Sequence, residues 1–269
     1  MTKFTQIYPT DLKYSEWQLL EQFFPRSKRG RPRKWEMWQI INAILYVVRT
    51  GCQWRMLPRD LPPWQTVYGY FWRWTRSGLW TEINAVLVCQ VRQQQGHDAK
   101  PSAAILDSQS VKTSEGGEAR GIDVHKQTPG RKRHIVVDTL GLLLMVVVHS
   151  ASIQDAAGGK LVLQRLFVRI KRNLHNHRGC RLKVIWADGA YESICDFVRK
   201  QFGWTLEIVR RPKEQKGFAV LPHRWIVERT FGWLGRYRRL ARDYEHTVSS
   251  SEAMTYLASI RRMLKLATN

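Results

Sequence analysis

The stretch Ala103–Thr113, Ala-Ala-Ile-Leu-Asp-Ser-Gln-Ser-Val-Lys-Thr, constrains the fold more than any other part of the chain. An unbroken apolar run turns out a carboxylate, Asp107. A short apolar run bounded by polar residues reads as a strand buried on both faces, as in the middle of an α/β sheet. A bare carboxylate is costly to bury without a partner or a metal, so Asp107 is a candidate site residue. Two hydrophobic segments follow, Arg133–Thr139 and Leu142–Ser150, joined by a short turn at Asp138–Gly141. They predict an antiparallel three-strand unit with the acid at the centre of its first strand. Farther on, Lys183–Tyr191 predicts another strand that ends in an acid, Asp188.

The rest of the chain is strongly basic. Its 269 residues carry 44 Lys and Arg against 22 Asp and Glu, a formal net charge of +22. Such an imbalance in a chain with 43% hydrophobic residues indicates a packed protein with a polyanionic partner, most often nucleic acid. The four cysteines (52, 89, 180 and 195) form no close pair, which argues against a zinc site or a disulfide framework. With no secretory signal and no run of about 18 apolar residues, the expectation is a soluble, cytoplasmic protein.

The first hundred residues read as helical. Ser15-x-x-Gln18 is a capping-box pattern opening a helix over Glu16–Phe24, which Pro25 closes. A basic arm follows, Arg26–Lys34, that reads as a solvated linker touching phosphates, although its Arg29-Gly-Arg31-Pro core resembles a minor-groove peptide; Arg29, Arg31 and Arg33 are its candidate DNA contacts. Helical spacing of Ile40, Ile41, Ile44, Leu45 and Val48 predicts a helix over 35–49, with Gly51 as its stop. Helices over about 65–75 and 79–93 come next, and Arg73 and Arg76 on the first of these are candidate DNA contacts. Short helices with a basic arm suggest a small all-α, helix-turn-helix-like DNA-binding domain over residues 1–100. The polar stretch 93–101 is the expected boundary with a second domain over 101–269.

In that second part, residues 114–132 read as a glycine- and charge-rich loop ending in Gly130-Arg-Lys-Arg-His134, and Arg131, Lys132 and Arg133 are expected to hold a phosphate backbone. Asp155 stands where a helix N-cap is needed, ahead of a helix to about Arg172, and Asp138 reads as a structural turn residue. A helix over 192–202, a strand over 205–210, a long helix over 223–244 and a last helix opened by Ser249-x-x-Glu252 complete the order β-β-β-α-β-α-β-α. The fold class is therefore α/β, a mixed sheet with helices against it.

These residues also carry a resemblance. Asp107 in Asp-Ser-Gln-Ser-Val-Lys, the Gly130–Asp138 stretch, Asp188 in Ala-Asp-Gly-Ala-Tyr and Glu228 in Arg-Trp-Ile-Val-Glu-Arg-Thr-Phe-Gly-Trp-Leu resemble bacterial insertion-sequence transposases of the insertion-sequence-five family. Thr50–Arg55 and Pro62-Pro-Trp64 extend the likeness into the helical half. The resemblance implies a ribonuclease-H-like catalytic domain in which Asp107, Asp188 and Glu228 hold two Mg²⁺ or Mn²⁺ ions. It also implies DNA contacts from Arg224 and Arg236, a double-stranded DNA substrate, and at least a homodimer on DNA. The family's third acid lies in a pattern of Tyr, Arg, Glu and a basic residue. Here Arg224 and Glu228 fit it, Leu221 replaces the Tyr, and Gly235 takes the basic position with Arg236 one step later.

The chemistry accounts for the residue types. Cleavage and strand transfer are in-line displacements at phosphorus, and a metal pair stabilises both the attacking and the leaving oxygen. Hard divalent ions prefer carboxylate oxygens, so Asp and Glu suit them where Cys and His do not. A metal-dependent nuclease without strand transfer would use the same acids. A DNA-binding protein descended from such an enzyme is expected to have lost at least one of them, and here all three are present.

Overall fold

The structure is a computed structural model, and it describes residues 4–24, 33–114, 116–172, 180–210 and 222–268. Four helices open the chain: α1 (Tyr14–Glu21), α2 (Met37–Thr50), α3 (Trp64–Ser77) and α4 (Leu79–Gln94). The apolar spacing that predicts α2 is what buries it, with Ile40, Ile41, Ile44, Leu45 and Val48 each at most 2% exposed. Gly51 ends that helix with φ at 74°, a left-handed conformation that suits a residue without Cβ. The capping expectation for α1 is corrected: the cap is Lys13, whose backbone N–H donates to the Glu16 carboxylate at 2.7 Å, and the helix ends at Glu21, short of Phe24.

The sheet follows. Its strands are β1 (Ala103–Lys112), β2 (Gly121–Asp123), β3 (Thr128–Asp138), β4 (Leu143–Ser150), β5 (Val184–Ala187) and β6 (Thr205–Ile208). β1, β3 and β4 pair antiparallel, as the sequence predicts, and β5 and β6 add on parallel to β1. The short β2 pairs with the same edge of β3 that β4 occupies farther along. This antiparallel unit continued by parallel strands is the mixed sheet of an α/β fold.

Around the sheet lie α5 (Asp155–Arg172), α6 (Cys195–Phe202), α7 (Arg224–Gly235), α8 (Arg238–Ala241) and α9 (Val248–Ala267). Two expectations change here. The long helix over 223–244 is two helices, broken where Tyr237 adopts extended backbone (φ −92°, ψ 113°). The last helix is capped by Thr247, whose side chain accepts from the Ser250 N–H; Glu252 instead meets Arg165 and the Val148 N–H.

One hydrophobic core joins the N-terminal helices, the sheet and α9. Buried polar contacts stitch the same seam. Asn84 of α4 donates to the Leu143 carbonyl at 2.7 Å, Arg92 of α4 meets Asp138 at 2.5 Å, and Arg261 of α9 meets Glu16 of α1 at 2.5 Å. No described helix is long and apolar enough to cross a membrane.

Candidate active site

Strand register brings the first two acids together. Ala103 lies beside Val184 and Ile105 beside Trp186 on parallel strands. The same offset carried two residues on sets Asp107 beside Asp188. Asp107 projects from the middle of β1, and its Oδ1 accepts from the Ser108 N–H at 2.7 Å. Asp188 follows the last residue of β5 and caps the next turn, with its Oδ1 accepting from the Ala190 N–H at 2.9 Å. Glu228 comes from α7, whose opposite face buries Ile226, Val227, Thr230 and Leu234. The entry of α7 is fixed by His223, whose ring stacks on Trp186 with centroids 3.8 Å apart.

Arg224, one turn before Glu228, shows how closely the acids converge. Its Nη2 lies 3.8 Å from Asp107 Oδ2, 3.6 Å from Asp188 Oδ2 and 3.7 Å from Glu228 Oε1. Three carboxylates from three elements thus face one point. The side chains are 16% exposed at Asp107, 31% at Asp188 and 56% at Glu228, so the site opens toward solvent from the Glu228 side. Burial pushes the Asp107 carboxyl up to about 6, with the Asp188 charge adding to it, while the Ser108 N–H and the Arg224 guanidinium oppose the shift.

Among the described residues, no three His, Cys, Asp or Glu side chains are gathered tightly enough to grip an ion as they stand. The Arg224 guanidinium occupies the middle and compensates the charge. Two features nonetheless fit a divalent cation. The donors are all hard carboxylate oxygens, as Mg²⁺ and Mn²⁺ require. In addition, the buried Arg224 Nε has no hydrogen-bond partner, so this guanidinium is held by charge rather than by a complete set of bonds.

The basic motif before the hairpin is not a phosphate contact. Gly130–His134 lies within β3, and Arg131, Lys132 and Arg133 are 0%, 3% and 2% exposed. Each is spent inside the protein. Arg131 donates to the carbonyls of Glu118, Glu245 and His246, and Arg133 donates to that of Leu240 at 2.7 Å. Lys132 reaches Asp155 Oδ1 at 3.1 Å and Asp123 Oδ2 at 3.4 Å. A cationic tetrapeptide reads as a solvated loop from sequence because the acids and carbonyls that bury it are remote in the chain.

Those partners form a polar layer that sequence reasoning missed. Ser108, adjacent to Asp107, donates to Asp155 Oδ1 at 2.8 Å, and Ser110 donates to Asp123 Oδ2 at 2.5 Å. Asp155 is therefore a partner of Ser108 and Lys132, not merely the first residue of a helix; these contacts hold its carboxyl below the ordinary range despite partial burial. His134 and His149 stack and share a 2.8 Å ring-nitrogen contact behind it. Tyr191 closes the layer beneath the acids, and burial and the Asp107 charge hold its phenol well above its usual pKa. Alternation along β1 was the available signal, since Ser108 and Ser110 point to the face opposite Asp107.

Of the other candidate DNA contacts, Arg29 and Arg31 lie outside the described residues, as does Leu221, while Arg33 is exposed. Arg73 and Arg76 are exposed on α3, lying 4.5 Å and 4.7 Å over the rings of Tyr70 and Trp72. Arg236 is exposed just past the end of α7.

Two segments of the chain match known families. Residues 12–84 match the family described as "Putative transposase of IS4/5 family", and residues 98–262 match the transposase DDE domain. Over 117 residues the chain is 29% identical to the "Putative transposase for insertion sequence element IS402" of Burkholderia cepacia, covering 44% of this chain and 54% of that protein. The chain thus spans about half the length of that relative. It is also 31% identical over 78 residues to the uncharacterized protein y4sN of Sinorhizobium fredii, covering 28% of this chain and 62% of that one. The crystal structure of a pre-cleavage Mos1 transpososome is a distant likeness, covering 90% of this chain and 80% of that one at 11% identity and a TM-score of 0.30. Because the DDE model alone matches more than half of the sequence, the chain belongs to the transposase DDE domain family.

Proposed function

We propose that the protein is an insertion-sequence transposase that cuts the ends of its element and joins them to target DNA, with Asp107, Asp188 and Glu228 as the catalytic carboxylates. The observation that carries this reading is the convergence of the three acids, from β1, the end of β5 and α7, on a point less than 4 Å from each. They would hold two Mg²⁺ or Mn²⁺ ions where the Arg224 guanidinium now compensates them, and such a pair supplies activation of the attacking oxygen and stabilisation of the leaving one.

The chain's own residues do the rest. Asp107, fixed by the Ser108 N–H and braced from behind by the Asp155–Lys132 pair, sets the floor of the site. Asp188 is held by the turn it caps. Gly232 and Gly235, which follow Glu228 on the exposed face of α7, leave open space where a Cβ would stand, so a DNA backbone can approach that helix. Water is the nucleophile for end cleavage, and the freed 3′-hydroxyl is the nucleophile for joining. In this reading residues 1–100 recognise the terminal inverted repeats, residues 101–269 cut them, and one copy of the chain serves each end in a homodimer or larger assembly acting in the cytoplasm.

The test is a joining assay. The protein, a duplex carrying one element end and a supercoiled plasmid are incubated in Mg²⁺. The expected products are a nick exposing a 3′-hydroxyl at the end and that end covalently joined to plasmid. Nicked ends that never join would establish a metal-dependent nuclease in place of a transposase.

A further inference from the structure

Beyond the carboxylates, α7 leads to a second feature. Where it ends, a groove of about 660 Å³ opens between α2, the α7–α8 junction and α9. Its charged lining is entirely cationic: Arg49 from α2, Arg236 past α7, and Arg261, Arg262 and Lys265 from α9. Arg261 is neutralised on the floor by Glu16 at 2.5 Å. The other four meet no carboxylate among the described ion pairs. Arg49 instead donates to the Arg236 carbonyl at 2.7 Å and lies 5.4 Å over the Tyr237 ring, and Arg262 lies 3.3 Å over Trp233.

Four exposed arginines elsewhere are paired. Arg165, Arg181, Arg199 and Arg210 each face an acid, namely Glu252, Asp98, Asp196 and Glu192. Four cations with no carboxylate partner among the described ion pairs thus line this one groove. Burial, and then the neighbouring Arg229, lower Arg262 to about 10, so it is still a cation at neutral pH. Arg229 is itself clamped between Trp225 and Trp233 at 4.5 Å and 4.4 Å, which extends a ladder of stacked cations and rings back toward Arg224.

The exposed face of α7 links the two places. Arg224, Glu228, Gly232, Gly235 and Arg236 follow one another along it, and at 1.5 Å per residue Arg236 lies about 12 Å from Glu228. Both glycines have nothing within 4 Å of the position a Cβ would take. We infer that this groove is a phosphate-binding site for the DNA backbone that leads away from the carboxylates over the bare face of α7. The inference rests on the transposase reading and adds a surface shared by an N-terminal and a C-terminal helix.

The electrostatic part of DNA affinity is independent of sequence, and each phosphate contact contributes a slope of about −0.9 in log K against log salt. The test therefore uses fluorescence anisotropy with a labelled duplex of arbitrary sequence over a salt series. Neutralising the groove as Arg49→Gln, Arg236→Gln and Lys265→Gln together should flatten the slope by about two to three units. Lys265→Gln alone, at an exposed position on the last turn of α9, should flatten it by about one and guards against misfolding of the triple variant. A control variant on α5 and α6, Lys171→Gln, Arg172→Gln and Lys200→Gln, should leave the slope within about half a unit. If the groove variants flatten the slope no more than the control does, the site is wrong. If they do so while the unaltered protein still cuts and joins element ends, the groove alone is lost and the transposase reading stands. Failure of the unaltered protein to bind DNA at all would overturn both.

Discussion

Gly158 shows how tightly the layer behind the acids is built. A Cβ at this position would stand 2.3 Å from His134 Cε1 and 2.4 Å from His149 Nε2, two buried rings with little room to move. Gly158→Ala should therefore cost at least about 2–3 kcal/mol, read as a lowered urea midpoint. Gly69 is the contrast, lying within α3 with open space at its Cβ position. Gly69→Ala should be stabilising by up to about 1 kcal/mol, the ordinary helix-propensity difference. The same layer predicts a pH dependence. Burial first, and then His149, lower His134 from 6.5 to about 3, so this imidazole stays neutral in the folded protein. Above pH 6.5 it is neutral in both states and contributes nothing. As pH falls from about 6.5 toward 3, the unfolded chain takes up a proton that the folded one refuses, and stability declines by up to about 1.4 kcal/mol per pH unit from this group. Urea midpoints measured between pH 7 and pH 5 should fall less steeply in His134→Gln; an identical slope would remove His134 as the cause. None of this was legible in the sequence, where His134 and His149 are two histidines in apolar strands and Gly158 is one of a glycine pair in a helix.

At the scale of elements, α4 and the β3–β4 turn are held by a buried charge pair. Arg92 meets Asp138 at 2.5 Å, and Asp138, fully buried, also accepts from the N–H groups of Leu140 and Leu142 at 3.0 Å and 2.8 Å. Removing one partner of such a pair strands the other charge, so Arg92→Met should cost about 3–5 kcal/mol, and Arg92→Met with Asp138→Asn less than that. Thermal or urea unfolding of the two variants checks the ordering. Asp138 was readable as a turn residue; its partner, 46 positions earlier, was not. Elements with a strong period were legible to within a few residues, as α2, α4 and α5 show. β3 was not, because its first half carries Arg-Lys-Arg-His and polar residues argue against a buried strand until their partners are known. The break between α7 and α8 was also hidden, since no Pro separates Leu234 from Arg238 and Gly235 reads as a mere weak point in one helix.

For the whole molecule, the legible part of the site was its chemistry, and the illegible part was its geometry. Asp107 and Asp188 stood out because each interrupts or ends an apolar run, yet a spacing of 81 residues says nothing until β1 and β5 are known to be parallel neighbours. Their register has that same offset, Ala103 beside Val184, so strand pairing alone sets the two acids side by side. Glu228 depended on the resemblance to a known family, because an acid on an amphipathic helix is ordinarily a solvated one. The helices before residue 100 read as a separate unit, yet they share one hydrophobic core with the sheet and α9.

If Asp107, Asp188 and Glu228 carry the reaction, single-turnover cleavage of an element-end duplex in Mg²⁺ depends on their charge. Asp107→Asn and Asp188→Asn keep nearly the native shape but lose the charge that would hold the ions. Each should bind the duplex as the native chain does and cut it more than about a hundredfold more slowly, given the several kcal/mol that such ions supply. A variant that binds normally and retains more than about a hundredth of the native rate would remove that acid from catalysis.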